Sequence, residues 1–362
     1  MWDNMLIRSC SDNPFLLHDF ISTWWLHFSR GRQLRIFTTF EDNDLMGGFP
    51  LYLDRRRTRF GFCRILRYPG EIAANLTECI SLNSQEQFIS QLIQGLSERK
   101  DWDVLFIERI RKNNSLLKGI NDLSLPKGWK LSLRQSDWHF RISLPDSADV
   151  YLTSLPKKLR YALRKGKKLC HERGQLLLEN VKGADAVRSL YDLFVQLSIK
   201  SFRSRGGVSA FEDLGRVSFF RELLVRLEEN GRLDAHALKV DEEILAISFG
   251  YRFGNGYKYI LPTFNPDWSD CEPGHLMIAE LIRTAIQRGD TYFDMGNGET
   301  LYKRQWCNLR EPLFRLEVIA PTIGGKIFSV LTSALVRKAG YSVRKSFSRI
   351  KEFQKGKIGE TF

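Results

Sequence analysis

Apolar and polar residues alternate along 233–240, and the apolar spacing changes to every fourth residue along 274–288. That switch orders the second half of the chain. Leu233 to Val240 predicts a half-buried strand. The acidic turn Asp241-Glu242-Glu243 follows, then a strand from Ile244 to Phe253. Gly254-Asn255-Gly256 predicts a hairpin turn, because Asn and Gly tolerate the positive φ it needs. Tyr257 to Thr263 reads as a third strand. A loop holding Pro266 and Pro273 leads into a helix over 274–288, with Met277, Leu281, Ala285 and Ile278, Ile282, Ile286 in two rows four apart. Gly289 stops that helix, and Thr291 to Met295 predicts another strand.

The first half repeats this grammar. Leu34 to Phe40 reads as a strand, Glu41 to Asp44 as an acidic turn, and Leu45 to Leu53 as a strand. A helix over 85–99 places Phe88, Ile89, Leu92, Ile93 and Leu96 on one face, and the strand Val104 to Glu108 comes next. The stretches FISQLIQGLSERKDWDVLFIER and LMIAELIRTAIQRGDTYFDMGN match weakly in identity but consistently in order. The pattern therefore predicts two copies of one mixed α/β unit joined near Pro145. Residues 1–145 form the first copy, 150–320 the second, and 321–362 a basic amphipathic tail.

Composition permits this size. The chain has 362 residues, 43% of them hydrophobic, enough for a sizeable core and against a disordered chain. Its longest apolar runs fall far short of the roughly 20 residues of a spanning helix. The early Asp3, Asn4, Ser9 and Asp12 do not follow the layout of a signal peptide. Six scattered cysteines with no C-x-x-C pair imply neither a zinc site nor a disulfide framework. A cytoplasmic location is the expectation.

The net charge of +13 is uneven. Residues 55–67, 157–173 and 337–357 hold 22 Lys/Arg and two acids, a charge of +20, which leaves the body at −7. Such clusters fit nucleic-acid phosphates, anionic lipid, a phosphorylated ligand, or a merely solvated helix face. With no zinc-finger spacing or RNP-like strand beside them, nucleic acid is the minority reading. On a helix over 155–173, Leu155, Leu159, Leu163 and Leu169 face a core, while Lys158, Arg160, Arg164, Lys165, Lys167 and Lys168 face away. In the tail, Ile323, Ile327, Phe328, Leu331 and Leu335 precede the Lys/Arg residues. That suits either an anionic membrane or packing on the body.

Candidate chemistry gathers in the second copy. Pro273 fits a first helical turn, Gly274 allows close approach to the backbone, and Glu272 is a poor N-cap. N–H groups left free there suit a pyrophosphate. After the last strand comes FDMGNGETLYKRQW, from Phe293 to Trp306. Asp294 and Glu299 are candidate proton acceptors, Tyr302 a proton donor, and Lys303 or Arg304 a phosphate contact. A capped loop with structural ion pairs reads equally from the same residues. His275 fits a base, a phosphate contact or an ordinary surface histidine. Trp268 and Trp306 fit pocket walls or core. Cys271 has no evident base partner and reads as a passive thiol.

At these residues the chain resembles the GNAT acyltransferase superfamily, and within it the CelD/BcsL-type acetyltransferases of cellulose and exopolysaccharide biosynthesis. The likeness runs through NPFLLHDFISTWWLHF, LMGGFPLYLDRRR, SLPKKLRYALRKGKKLCHERG and EPGHLMIAELI to FDMGNGETLYKRQW, the most specific match. Asn297 stands where many members carry a basic residue, which bears on substrate identity. The resemblance extends to the FemAB/FemX peptidoglycan aminoacyltransferases, also built of two GNAT-like units. It implies a tandem GNAT fold, two copies of an α/β unit with a mixed sheet. An acyl-CoA pyrophosphate would sit on backbone N–H groups of Gly274, His275 and Leu276. The pantetheine would run beside Tyr259 to Thr263, at Leu261 and Thr263, with Lys303 toward phosphate. Tyr302 would be the acid, and the first copy, without Pro-Gly or Tyr-Lys, would help form the acceptor cleft without catalysing. The expected reaction moves an acyl group from acyl-CoA to an amine or hydroxyl of a polysaccharide or cell-envelope precursor, with no metal. Trp306, Trp268 and Asn297 would line the acceptor pocket. The rivals are a FemAB-like enzyme using aminoacyl-tRNA and a non-catalytic scaffold in polysaccharide export.

Overall fold

Both alternating runs and both four-residue periods appear where the pattern places them, within a few residues. The computed structural model describes residues 1–331 apart from 59–60, 71–72, 115, 118 and 120–124. In the first copy, α1 (Trp2–Arg8) and α2 (His18–Phe28) precede β1 (Arg32–Glu41), β2 (Asp44–Thr58), β3 (Gly61–Arg67) and the short β4 (Ile80–Ser81). Helix α3 (Gln85–Glu98) and β5 (Val104–Arg111) follow. The Ser84 side chain caps α3 by accepting from the Gln87 N–H, and the five expected apolar residues are buried.

Then come β6 (Lys130–Ser143), α4 (Ala148–Ser154), α5 (Lys157–Arg173), β7 (Leu176–Val181), α6 (Ala184–Arg203) and α7 (Leu214–Glu229). The second copy's hairpins are β8 (Leu233–Val240), β9 (Glu243–Phe253) and β10 (Gly256–Phe264), followed by α8 (Pro273–Gln287), β11 (Tyr292–Asn297), α9 (Leu301–Trp306) and β12 (Leu309–Ile319). The helix expected over 155–173 starts at Lys157, with Pro156 in the N-cap position, and the separate short helix α4 precedes it. Leu159 of α5 is buried, while Lys157, Lys158, Arg164, Lys165, Lys167 and Lys168 are exposed and Arg160 is half-buried. Strand β8 is buried almost throughout instead of on one face, since α7 and α5 cover its two sides.

All twelve strands among the described residues join one sheet, in the order β1-β2-β3-β5-β12-β6-β11-β10-β9-β8-β7, with β4 paired to β2. The centre of that order carries an exchange. Strand β6 lies by sequence in the first copy but pairs antiparallel with β11 of the second. Strand β12 closes the second copy but pairs antiparallel with β5 of the first. The two exchanged strands pair with each other from Leu309↔Arg141 to Ile319↔Lys130. The division near Pro145 therefore has no counterpart as a gap in the sheet. Helices seal the junction as well. Phe219 of α7 meets Phe20 of α2 edge-on at 5.8 Å between ring centroids.

The start of the tail is helical over 323–331, where Phe328 packs with Phe106 over Cys63, Ile65 and Val104. Ile323 is exposed. Leu335 and the basic run 337–357 lie outside the described residues. No helix among the described residues is long and apolar enough to cross a membrane.

Candidate functional site

Strands β10 and β11 run parallel, but they pair only from Gly256↔Tyr292 to Lys258↔Asp294. Beyond that point they part. A bulge at Tyr259/Leu261 shifts β10 against β9, and a bulge at Asp294/Gly296 shifts β11 against β6. The backbone of β10 from Tyr259 to Thr263 keeps β9 on one side and loses its strand neighbour on the other. Leu261 is buried and Thr263 half-buried along this edge.

Asp294 fixes the divergence. Its Oδ1 accepts from Gly296 N–H at 2.8 Å, which closes the bulge. Its Oδ2 takes Lys258 Nζ at 2.8 Å and His139 Nε2 at 3.0 Å. Burial would raise this carboxyl, but His139 and Lys258 outweigh it and hold the group well below the usual carboxylate range. Gly296 has φ +73°, and a Cβ there would lie 2.7 Å from the Asn75 amide, so glycine is required on both counts. Asp12 joins the same cluster through Arg111 at 2.5 Å, Arg141 at 3.2 Å and Lys258 at 3.7 Å. Burial raises the Asp12 carboxyl, and the three cations more than reverse that. His139 and Arg141 come from the exchanged strand β6, and Arg111 from β5, so both copies contribute. Nothing local in the sequence marks His139, Arg141, Arg111, Lys258 or Asp12. Asp294 thus sits in a buried ion cluster rather than at an open mouth, with its oxygens engaged by neighbours.

Helix α8 begins where β10 ends, and a Cβ on Gly274 would lie 3.9 Å from the Phe264 ring. Glu272 occupies the N-cap at φ +54° and its side chain caps nothing. The N–H groups of His275 and Leu276 both reach the Glu272 carbonyl at 3.0 Å. Of the three N–H groups expected to bind pyrophosphate, Gly274 alone has no acceptor among the described residues. The two bonds to Glu272 are the ordinary first-turn bonds that an N-cap carbonyl accepts.

His275 is half-buried and its Nδ1 accepts from Trp306 Nε1 at 3.0 Å. Burial lowers its pKa, Glu272 offsetting only part, so the ring is neutral with its proton on Nε2. Trp306 is buried, its carbonyl taking the Tyr151 hydroxyl, with the two rings stacked. Tyr302 stands one turn earlier on α9, within electrostatic reach of Tyr259. Burial pushes its hydroxyl up to about 12. Lys303 is buried, donates to the Asn297 carbonyl, and has its pKa lowered by that burial. Glu299 is exposed between Arg304 and Arg310, at 2.8 Å from each. Leu261, Thr263, Gly274, His275, Asn297, Tyr302, Lys303 and Trp306 thus lie on β10, β11, the start of α8 and α9, with Asp294 of β11 buried. Trp268 is placed otherwise, bonded to Glu243 at 3.0 Å under the Arg173 guanidinium, partners that include none of the other candidates.

The corresponding parting in the first copy lies between β3 and β5, which pair parallel only from Ile65↔Val104 to Arg67↔Phe106. There the chain fills the gap. Thr77 N–H bonds to the Arg109 carbonyl, Arg109 donates to the Ala74 carbonyl, and the Tyr68 hydroxyl bonds to Phe15. The remaining cavity is about 20 Å³. Cys271 is buried beside Cys170, and His236 is buried within β8.

Comparison with known proteins places this geometry. Residues 157–304 match the acetyltransferase (GNAT) domain family. A crystal structure of FemX matches over 91% of this chain and 98% of its own, with TM-score 0.65 and 12% identity. A conserved protein of unknown function from Bacteroides thetaiotaomicron matches over 88% and 96%, with TM-score 0.56 and 12% identity. The C-terminal domain of a proposed lysylphosphatidylglycerol synthetase from Agrobacterium fabrum matches over 93% and 97%, with TM-score 0.50 and 12% identity. No curated protein matches the chain. Residues 157–304 thus match a GNAT acetyltransferase domain, the chain as a whole shares its fold with FemX, and acyl transfer is the chemistry that the domain match supports.

Proposed function

We propose that the chain moves an acyl group from acyl-CoA to an amine or hydroxyl of a polysaccharide or cell-envelope precursor, in the manner of the CelD/BcsL-type enzymes its signature resembles. One observation carries the donor half: β10 and β11 part just where the Pro-Gly start of α8 leaves a backbone N–H free. A pantetheine arm is an extended amide chain, and the unpaired β10 edge from Tyr259 to Thr263 offers it strand-like hydrogen bonds. The pyrophosphate would meet Gly274 N–H and the positive end of the α8 dipole. Lys303, buried on the Asn297 carbonyl, would face it from α9.

In the proposed reaction the acceptor nitrogen or oxygen attacks the thioester carbonyl carbon. The C–S bond breaks, and the thiolate takes the Tyr302 proton, which burial keeps in place at neutral pH. A water at the mouth, or Glu299 between its two arginines, takes the acceptor's proton. Asp294 holds the bulge instead of exchanging protons. The filled gap of the first copy supports a single donor site, with the first copy lending walls to the acceptor. Peripheral contact with an anionic membrane belongs to the same reading, since envelope precursors are built there.

A second reading has its own observation. Lys157, Lys158, Arg164, Lys165 and Lys167 of α5 have no carboxylate partner among the described residues, and an aminoacyl-tRNA donor would use them. Calorimetric titration of the full chain with acetyl-CoA and, separately, with tRNA decides between the two. Saturable acetyl-CoA binding with no tRNA binding is the expected result. Binding of tRNA alone by the folded chain would replace this reading with aminoacyl transfer, and binding of neither would favour the scaffold.

A further inference from the structure

The outer face of α8 lies between α4 and α5, and the three helices enclose a groove of about 270 Å³. Its floor is apolar, from Leu152, Leu163, Leu276 and Ala279. Its rim is charged, but the charges are not balanced. Arg283 pairs with Asp149 at 3.0 Å and with Glu280 at 4.0 Å, which accounts for both acids of the groove. Arg160, Arg164 and Lys167 are left with no carboxylate among the described residues. The Arg160 Nε is buried and has no hydrogen-bond partner there. Val150 and Tyr161, next in sequence to the lining residues Asp149 and Arg160, are each 61% exposed.

We propose that this groove is a second binding site, apart from the β10–β11 opening, for the phosphate headgroup and first methylenes of an anionic lipid. It seats the protein on an anionic membrane. The phosphate meets Arg160, Arg164 and Lys167, the methylenes cover Leu152 and Leu163, and Val150 and Tyr161 enter the interface around it. A lipid uses both halves of the site. A polynucleotide would use the cations and leave the apolar floor bare. Basic residues beside an apolar surface are the ordinary composition of an interfacial membrane contact. The inference does not rest on the acyl-transfer reading, because no groove residue except Leu276 belongs to the candidate site.

The test is sedimentation of the full chain with vesicles of phosphatidylcholine alone and with 30% phosphatidylglycerol, at fixed salt. Binding to the anionic vesicles only is expected. Each cation near the surface is worth roughly fivefold, so Arg160→Gln, Arg164→Gln and Lys167→Gln combined should weaken binding about 100-fold. Leu163→Gln alone should weaken it with the cations intact, and circular dichroism confirms folding of both variants. Equal vesicle binding by the triple variant and the native chain would overturn the proposal and move the contact to the tail. Triple-variant loss of binding to tRNA or inorganic phosphate, with Leu163→Gln unchanged, would overturn it in favour of a plain phosphate site. No binding to anionic vesicles would overturn it outright.

Discussion

At Gly166, helix propensity and packing act in opposite directions. Glycine in the middle of α5 costs about 1 kcal/mol relative to alanine. A Cβ there, however, would sit 2.2 Å from the Cys271 carbonyl oxygen, which belongs to backbone and cannot swing away. Overpacking of this kind costs about 1–3 kcal/mol, so packing wins. Gly166→Ala should lower stability in urea unfolding, whereas propensity alone would raise it. In the proposed reaction Tyr302 is the acid. Its hydroxyl holds a proton up to about pH 12 and lies near the β10 bulge. Tyr302→Phe should reduce kcat by about 10²–10⁴-fold with acetyl-CoA affinity unchanged, measured by steady-state turnover and calorimetry. Unchanged kcat would remove Tyr302 from the acid role.

Asp294 makes a prediction in pH. Its folded-state pKa is depressed from 3.8, so it stabilises the fold above that value and the contribution fades as pH falls through the folded value. Asp294→Asn leaves buried Lys258 with Asp12 at 3.7 Å as its remaining carboxylate and should cost about 3–5 kcal/mol at pH 7. The variant has no such carboxyl to titrate. The gap between native and variant Tm should therefore narrow as pH drops below about 4. A gap that stays constant down to pH 2 would mean that Asp294 does not bind the cluster as described.

Among the elements, the exchanged strands decide how the molecule holds together. One edge of β5 is paired by β12 and one edge of β11 by β6, each from the other copy. A chain cut near residue 145 leaves both halves with an open strand edge and with half of the Asp12–Asp294 cluster buried unpaired. Each half expressed alone should aggregate, and the two co-expressed should copurify as one complex. A soluble, folded fragment 146–362 would show that the exchange is not needed. Most elements were legible, because α3, α8 and β8 to β10 carry their periods in consecutive residues. The helix break at Pro156 was legible in principle from the proline alone.

For the molecule as a whole, the order of elements follows from local pattern. The three basic segments also separate by fate: 157–173 forms the exposed face of α5, 55–67 runs along β2 and β3, and 337–357 lies beyond the described residues. What the sequence alone determined is the repeat, the Pro-Gly start of α8 and the chemistry-bearing run from Asp294 to Trp306, since each is written in neighbouring residues. Only the tertiary structure decided that Asp294 is an anchor and that the first copy's gap is filled. His139 is 155 positions from Asp294, and Asp12 lies further still. Charges that far apart in the chain meet only when strand exchange brings β6 beside β11, and no local period encodes that meeting.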